Sequence, residues 1–149
     1  MCYILFKYLN KPGRFNFYMK TIIIDLDGTL TIDDKVDYCD KKPNLALVET
    51  IKEYKKQGFK ITIFTSRNMR TFNNDIEKIK IHTLPIITSW LDKHKIPYDD
   101  IIVGKPWCGF DGFYVDDKAI RPSEFINLQY EEIKELLKKE NPYKDGGNR

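Results

Sequence analysis

Cysteine is scarce in this chain: Cys2, Cys39 and Cys108 are an odd number, with no spacing suited to holding a metal. They argue against a disulfide framework and fit a reducing compartment, so a cytoplasmic protein is expected. Long apolar runs are missing as well. None approaches the ~20 residues of a membrane span, which leaves no reason to expect a membrane partner. The apolar start of residues 1–18 lacks the ordered charged region, apolar core and cleavage site of a signal peptide. Net charge is also small. The formal +3 comes from Lys7, Lys11 and Arg14 in residues 1–18, where there is no acid; the 25 basic residues less those three face 22 acids in the body. A neutral body carries no electrostatic footprint for nucleic acid, so no nucleic-acid partner is expected. There is no internal repeat, and 149 residues make one domain with a proper core but no room for a second large one.

What the chain does have is Lys20-Thr21-Ile22-Ile23-Ile24-Asp25-Leu26-Asp27-Gly28-Thr29-Leu30-Thr31. Thr21 to Ile24 is an unbroken β-branched run, as in a central strand of a parallel sheet covered on both faces. It stops on two carboxylates two positions apart, and Gly28 lets the backbone turn away and leaves room for a close approach. In open α/β sheets, ligands sit beyond that carboxyl end of a strand. Two acids there need a compensating cation or hydrogen-bond donors, which suggests a hard metal with oxygen ligands, Mg²⁺ first. The segment Asp25-Leu26-Asp27-Gly28-Thr29 resembles the first motif, DxDGT, of the haloacid dehalogenase-like phosphohydrolases. The plainer reading is an acidic turn after a strand.

The rest of the chain favours the first reading. Leu30 to Pro43 holds Asp33, Asp34, Asp37 and Asp40 around Val36 and Tyr38, too short for a cap and suited to a hairpin-like flap. Asn44 is a fair N-cap for a helix carrying Leu45, Val48, Ile51 and Tyr54, with Gly58 at its end. Phe59–Phe64 reads as the second strand. A short helix around Asp75–Lys80 and another from Thr83 to His94, with Pro85 in its first turn, precede a third strand, Ile101–Val103. Phe113–Val115 reads as a fourth strand and Tyr130–Lys139 as a final helix. The spacing predicts an α/β, three-layer Rossmann-like fold with a mainly parallel central sheet and no large cap. The domain runs over 19–141, with an extension at 1–18 and a loose tail at 142–149.

Each later strand also ends on chemistry-bearing residues: Thr65-Ser66-Arg67, Gly104-Lys105-Pro106 and Asp116-Asp117-Lys118. Parallel strands align their carboxyl ends, so Asp25, Asp27, Thr65, Lys105, Asp116 and Asp117 are expected at one crevice. Their order and types are similar to the four motifs of the haloacid dehalogenase-like family. The resemblance implies a phosphomonoester hydrolase working through an aspartyl-phosphate. It makes Asp25 the nucleophile, Asp27 the acid and then base, and Thr65 and Lys105 the phosphoryl binders. It also implies Mg²⁺ held by Asp25, the carbonyl of Asp27, and Asp116, with Asp117 sharing that role or holding Lys105.

The segments GKPWCG (104–109) and VDDKAIRP (115–122) are similar to those of small, capless capsule biosynthesis phosphatases of bacterial polysaccharide clusters. That likeness implies a small phosphorylated substrate such as a sugar phosphate. A nucleotide or polynucleotide 3′-phosphatase, and a non-catalytic binding protein of a biosynthetic complex, stand as alternatives. Ser66, Arg67, Arg70 and Trp107 lie where a substrate would be met. Arg67 and Arg70 either clasp a second anionic group or form ordinary solvated or ion-paired arginines. Trp107 either stacks on a ring or packs half-buried, His82 reads as a structural histidine, and aromatics in 1–18 offer a homo-oligomer contact over an open site.

Overall fold

The computed structural model describes residues 20–32 and 35–140. The expected extension over 1–18, the tail over 142–149 and the flap acids Asp33 and Asp34 lie outside those residues. Strands β1 (Thr21–Ile24), β2 (Lys60–Thr65) and β3 (Asp100–Val103) form one parallel sheet in the order β1-β2-β3. Ile22 pairs with Ile61 and Ile24 with Ile63, so these side chains share a face. Helices α1 (Leu45–Lys56) and α3 (Leu84–Lys93) bury Leu47, Val48, Ile51, Ile87, Trp90 and Leu91 in the same core. The opposite face carries Ile23 and Ile102, which stay 64% and 45% exposed, so it is thinly covered. Between α1 and α3 lies the short α2 (Ile76–His82), started by the Asp75 carboxylate, which accepts from the Lys78 N–H at 3.1 Å. Among the described residues there is no large cap, and no helix is long and apolar enough to cross a membrane.

Local chemistry places the elements. Asn44 caps α1, accepting from the Leu47 N–H at 3.3 Å, while its backbone N–H donates to the Leu30 carbonyl at 2.8 Å. Removing that cap in Asn44→Ala is expected to cost about 1 kcal/mol, a fall in Tm of roughly 2–4 °C in a thermal melt. Past α1, the Asp99 carboxylate accepts from the Ile61 N–H at 2.6 Å and from Lys55 Nζ at 2.7 Å, locking the end of α1 to β2 and the entry of β3. Those bonds, the Ile61 amide foremost, hold the Asp99 carboxyl below the usual range.

The flap is hairpin-like at its base: Thr31 pairs with Pro43, and the Ile32 N–H donates to the Lys42 carbonyl at 2.8 Å. Trp90, fully buried in α3, fastens it by donating from Nε1 to the Lys41 carbonyl at 2.8 Å. A 3₁₀ turn, Tyr38–Asp40, precedes Lys41 and lies against α3, where Lys93 Nζ donates to the Cys39 carbonyl at 3.4 Å.

Two expectations need correcting. Phe113–Val115 is not a strand; Phe113 and Val115 are 80% and 88% exposed. Tyr114 explains this locally, since its hydroxyl donates to the Pro106 carbonyl and the Lys105 ammonium sits 4.3 Å from its ring centre. The segment is thereby tied to its own loop rather than laid against a strand. A helix that was not expected, α4 (Pro122–Asn127), follows. Pro122 opens it and the Glu124 carboxylate accepts from the Arg121 N–H at 2.7 Å. Its Phe125 stacks on Tyr54 of α1, ring centres 5.1 Å apart. Helix α5 (Tyr130–Glu140) then closes the same aromatic cluster through Tyr130, edge-on to Phe59 at 5.2 Å.

Candidate active site

Three strand ends build the site. After β1 the chain winds from Leu26 to Leu30, both fully buried, and the Thr31 N–H returns to the Leu26 carbonyl at 2.9 Å. The two leucines anchor the loop inward, so Asp25 and Asp27, at alternate positions, are left half-buried at the sheet's rim. Gly28 makes the turn at φ +76°, a left-handed conformation that side chains adopt only with strain. At the end of β3, Gly104 has φ +89° and an added Cβ would lie 2.7 Å from Ile76 Cδ1. The positive φ is what calls for glycine, since the Ile76 methyl at the end of its side chain can move aside. The next amide, of Lys105, donates to the Thr65 carbonyl at 3.1 Å, which ties the ends of β2 and β3 together.

Lys105 reaches across the sheet edge to Asp25, Nζ to Oδ1 at 2.9 Å, and the Thr29 hydroxyl donates to the other oxygen at 3.3 Å. The expected nucleophile and phosphoryl-binding lysine therefore meet. Thr65 is buried, and its hydroxyl oxygen accepts from the Arg67 N–H at 3.0 Å, keeping its own hydrogen to donate. Asp27 is held by Arg67, from Nε at 2.9 Å and Nη2 at 2.7 Å, one bond to each carboxylate oxygen. Arg67 is itself buried, its Nη1 has no partner among the described residues, and the Tyr38 ring lies 4.1 Å from its Cζ.

The other expected residues engage partners of their own. Arg70 lies 5.8 Å from the Trp107 ring centre and 5.4 Å from that of Phe110, and those two rings meet edge to face at 5.2 Å. Ser66 is half-buried and interacts with Tyr114, whose hydroxyl is pushed above its ordinary value by burial first, then by Cys108 and the Asp25 carboxylate. His82 is exposed and stacks on Phe72 at 5.7 Å. Asp116 and Asp117 are exposed, and Asp116 Oδ1 accepts from the Lys118 N–H at 2.7 Å. Among the described residues, no three acidic, histidine or cysteine side chains gather as a metal cluster.

The family model for haloacid dehalogenase-like hydrolases matches residues 22–144. The chain belongs to the haloacid dehalogenase-like hydrolases. A crystal structure of a protein from Vibrio cholerae is 58% identical to this hydrolase, with a TM-score of 0.80 over 82% of this chain and 99% of that one. Two structures of the Pnkp1/Rnl/Hen1 RNA repair complex share 21% and 22% identity, at TM-scores of 0.43 and 0.45. In them the hydrolase aligns over 59% and 75% of its own length and 27% and 35% of theirs, a likeness too low to bear on function. No curated protein matches.

For Mg²⁺ the donor chemistry fits. The ion usually takes one or two carboxylates, with water and substrate phosphate completing its shell, rather than an all-protein cage. The half-buried Asp25 carboxylate at the rim is one hard oxygen donor of that kind. Three residues at the site were not singled out for a role from sequence: Thr29 on Asp25, Tyr38 on Arg67 and Tyr114 on Lys105. Thr29 stands inside the DxDGT segment and Tyr38 inside the flap, so their positions were legible while their contacts were not.

Proposed function

We propose that this hydrolase is a Mg²⁺-dependent phosphomonoesterase acting through an aspartyl-phosphate on Asp25. The observation that supports it most is the Asp25–Lys105 contact of 2.9 Å at the ends of β1 and β3, with Thr65 between them at the end of β2. A carboxylate beside an ammonium, with a hydroxyl donor next to both, suits attack on a phosphoryl group whose oxygens must be neutralised. Asp25 Oδ attacks phosphorus, the ester oxygen leaves, and Asp27 gives it a proton. Asp27 then takes a proton from the water that cleaves the acyl phosphate. The Thr65 hydroxyl and the Lys105 ammonium bind the non-bridging oxygens throughout. In this reading Asp25, the Asp27 carbonyl and Asp116, or Asp117 in its place, hold the Mg²⁺. The ion would neutralise phosphoryl charge there.

The uncapped rim favours a small phosphorylated metabolite, and the likeness to capsule biosynthesis phosphatases favours a sugar phosphate of surface polysaccharide synthesis. Arg70, with Trp107 and Phe110, is the surface such a substrate would meet beyond its phosphate. Those exposed rings also support a second reading, a nucleotide as substrate. The test is phosphate release, with Mg²⁺ and with chelator, across sugar phosphates, nucleotides and 3′-phosphorylated oligonucleotides. Turnover concentrated on one sugar phosphate and lost with chelator is expected. Preference for a nucleotide would select the second reading, and Mg²⁺ binding with no release from any ester would leave a binding protein.

A further inference from the structure

The Arg67–Asp27 pair is built with more constraint than a chance ion pair. Arg67 stands two residues past the end of β2, and its amide is fixed on the Thr65 hydroxyl at 3.0 Å. Its guanidinium spends two of its donors on both oxygens of a single carboxylate, at 2.9 and 2.7 Å, with no exposure of the arginine side chain. The Tyr38 ring covers it at 4.1 Å. Among the described residues the buried Nη1 has no partner, an arrangement that carries a desolvation cost. A buried guanidinium placed on one of the two acids at the sheet's rim points to a role in the chemistry of that acid.

We propose that Arg67 is a positioning residue for Asp27, and that Tyr38, from the 3₁₀ turn of the flap, clamps Arg67 in place. The inference rests on the reading of Asp27 as proton donor and acceptor. Each carboxylate oxygen has two acceptor sites. The planar fork takes one on each, fixing the plane of the carboxylate and leaving the outer sites to face the ester oxygen or the incoming water. A lysine, as a single point charge, cannot hold both oxygens at once. Because Tyr38 belongs to the flap, flap position and acid–base geometry form one unit. Arg67 thus acts on the substrate through Asp27, and direct contact with a second anionic group falls to Arg70.

The test compares Arg67→Lys, Arg67→Met and Tyr38→Ala with the full-length parent in saturating Mg²⁺. The substrates are p-nitrophenyl phosphate, whose leaving group departs without a proton, and an alkyl phosphate, whose leaving group needs one. With the aryl ester, the first-turnover burst of nitrophenolate in Arg67→Lys should stay within about threefold of the parent while steady-state kcat falls at least ~30-fold, since only the second step needs Asp27. With the alkyl ester the first turnover should also fall at least ~30-fold, with KM little changed. Arg67→Met should follow the same pattern, and Tyr38→Ala a weaker version of it. Circular dichroism guards against unfolding, with Arg67→Lys as the milder change should Arg67→Met not fold. Equal losses in the burst on both esters, or a rise in KM alone, would show Arg67 touching the substrate phosphate and overturn the proposal. Parent-like rates in Tyr38→Ala would remove the flap from it. A parent with no turnover on either ester overturns the functional reading and this inference with it, whereas an active parent matched by Arg67→Lys overturns this inference alone.

Discussion

Asp25→Asn is expected to lower kcat by at least ~10⁴-fold, since removing a nucleophile collapses the whole covalent route. The amide keeps the size and shape of the acid but cannot attack phosphorus. Little else should change. Asp25 is partly exposed, and its partners are Lys105 at 2.9 Å and the Thr29 hydroxyl at 3.3 Å. Loss of a partly solvated ion pair costs within about 1 kcal/mol, so the melting curve should move by a few degrees at most. Phosphate release and a thermal melt on the same preparation check both halves. A variant keeping a tenth of parental turnover would remove Asp25 as the nucleophile, and a variant that fails to fold would show its pair with Lys105 to be structural.

Lys105→Met should lower kcat/KM by ~10²–10³-fold, the scale of one lost donor to a charged reacting centre. The loss should appear in both constants, because the ammonium binds a phosphoryl oxygen in the substrate complex as well as in the transition state. Lys105→Arg should recover only part of it. The ammonium fits a point between Asp25 and the Tyr114 ring, 4.3 Å away, where a planar fork has different geometry. Steady-state kinetics on one ester decide it. Turnover within fivefold of the parent in Lys105→Met would reduce Lys105 to a counter-ion for Asp25.

Much of this arrangement was legible in the residues. Thr21–Ile24 is found over the expected span, but among the described residues it is an edge strand with Ile23 exposed rather than a central strand covered on both faces. The second strand lies one residue along from its expected bounds, at Lys60–Thr65, and the Asn44 cap is present. The meeting of Asp25 with Lys105 followed from parallel strands sharing one edge. What was not legible depended on contacts far apart in sequence. Phe113–Val115 has strand composition, but three residues carry too little pattern to predict that Tyr114 would bond back to Pro106 and sit on Lys105. Helix α4 had a readable start in Pro122 with Glu124 two residues on, although its six residues are too few for periodicity to show. Arg67 was left open between clasping a substrate anion and forming an ordinary ion pair, and the structure shows an ion pair. Its engagement with Asp27, 40 residues earlier, has no local signature.

The sheet's order has a consequence for assembly during synthesis. Strands β1, β2 and β3 lie side by side in the order in which they leave the ribosome, so each finds its partner already made. At translation rates of ~5–20 residues per second, the β1–β2 pair can form seconds before β3 emerges. Asp25 and Thr65 then precede Lys105 to the shared rim, and until it arrives the Asp25 carboxylate has no ammonium beside it. Of Asp25, Thr65 and Lys105, the nascent chain thus brings the lysine to the rim last. The Asp25–Lys105 contact marks the end of assembly of this sheet.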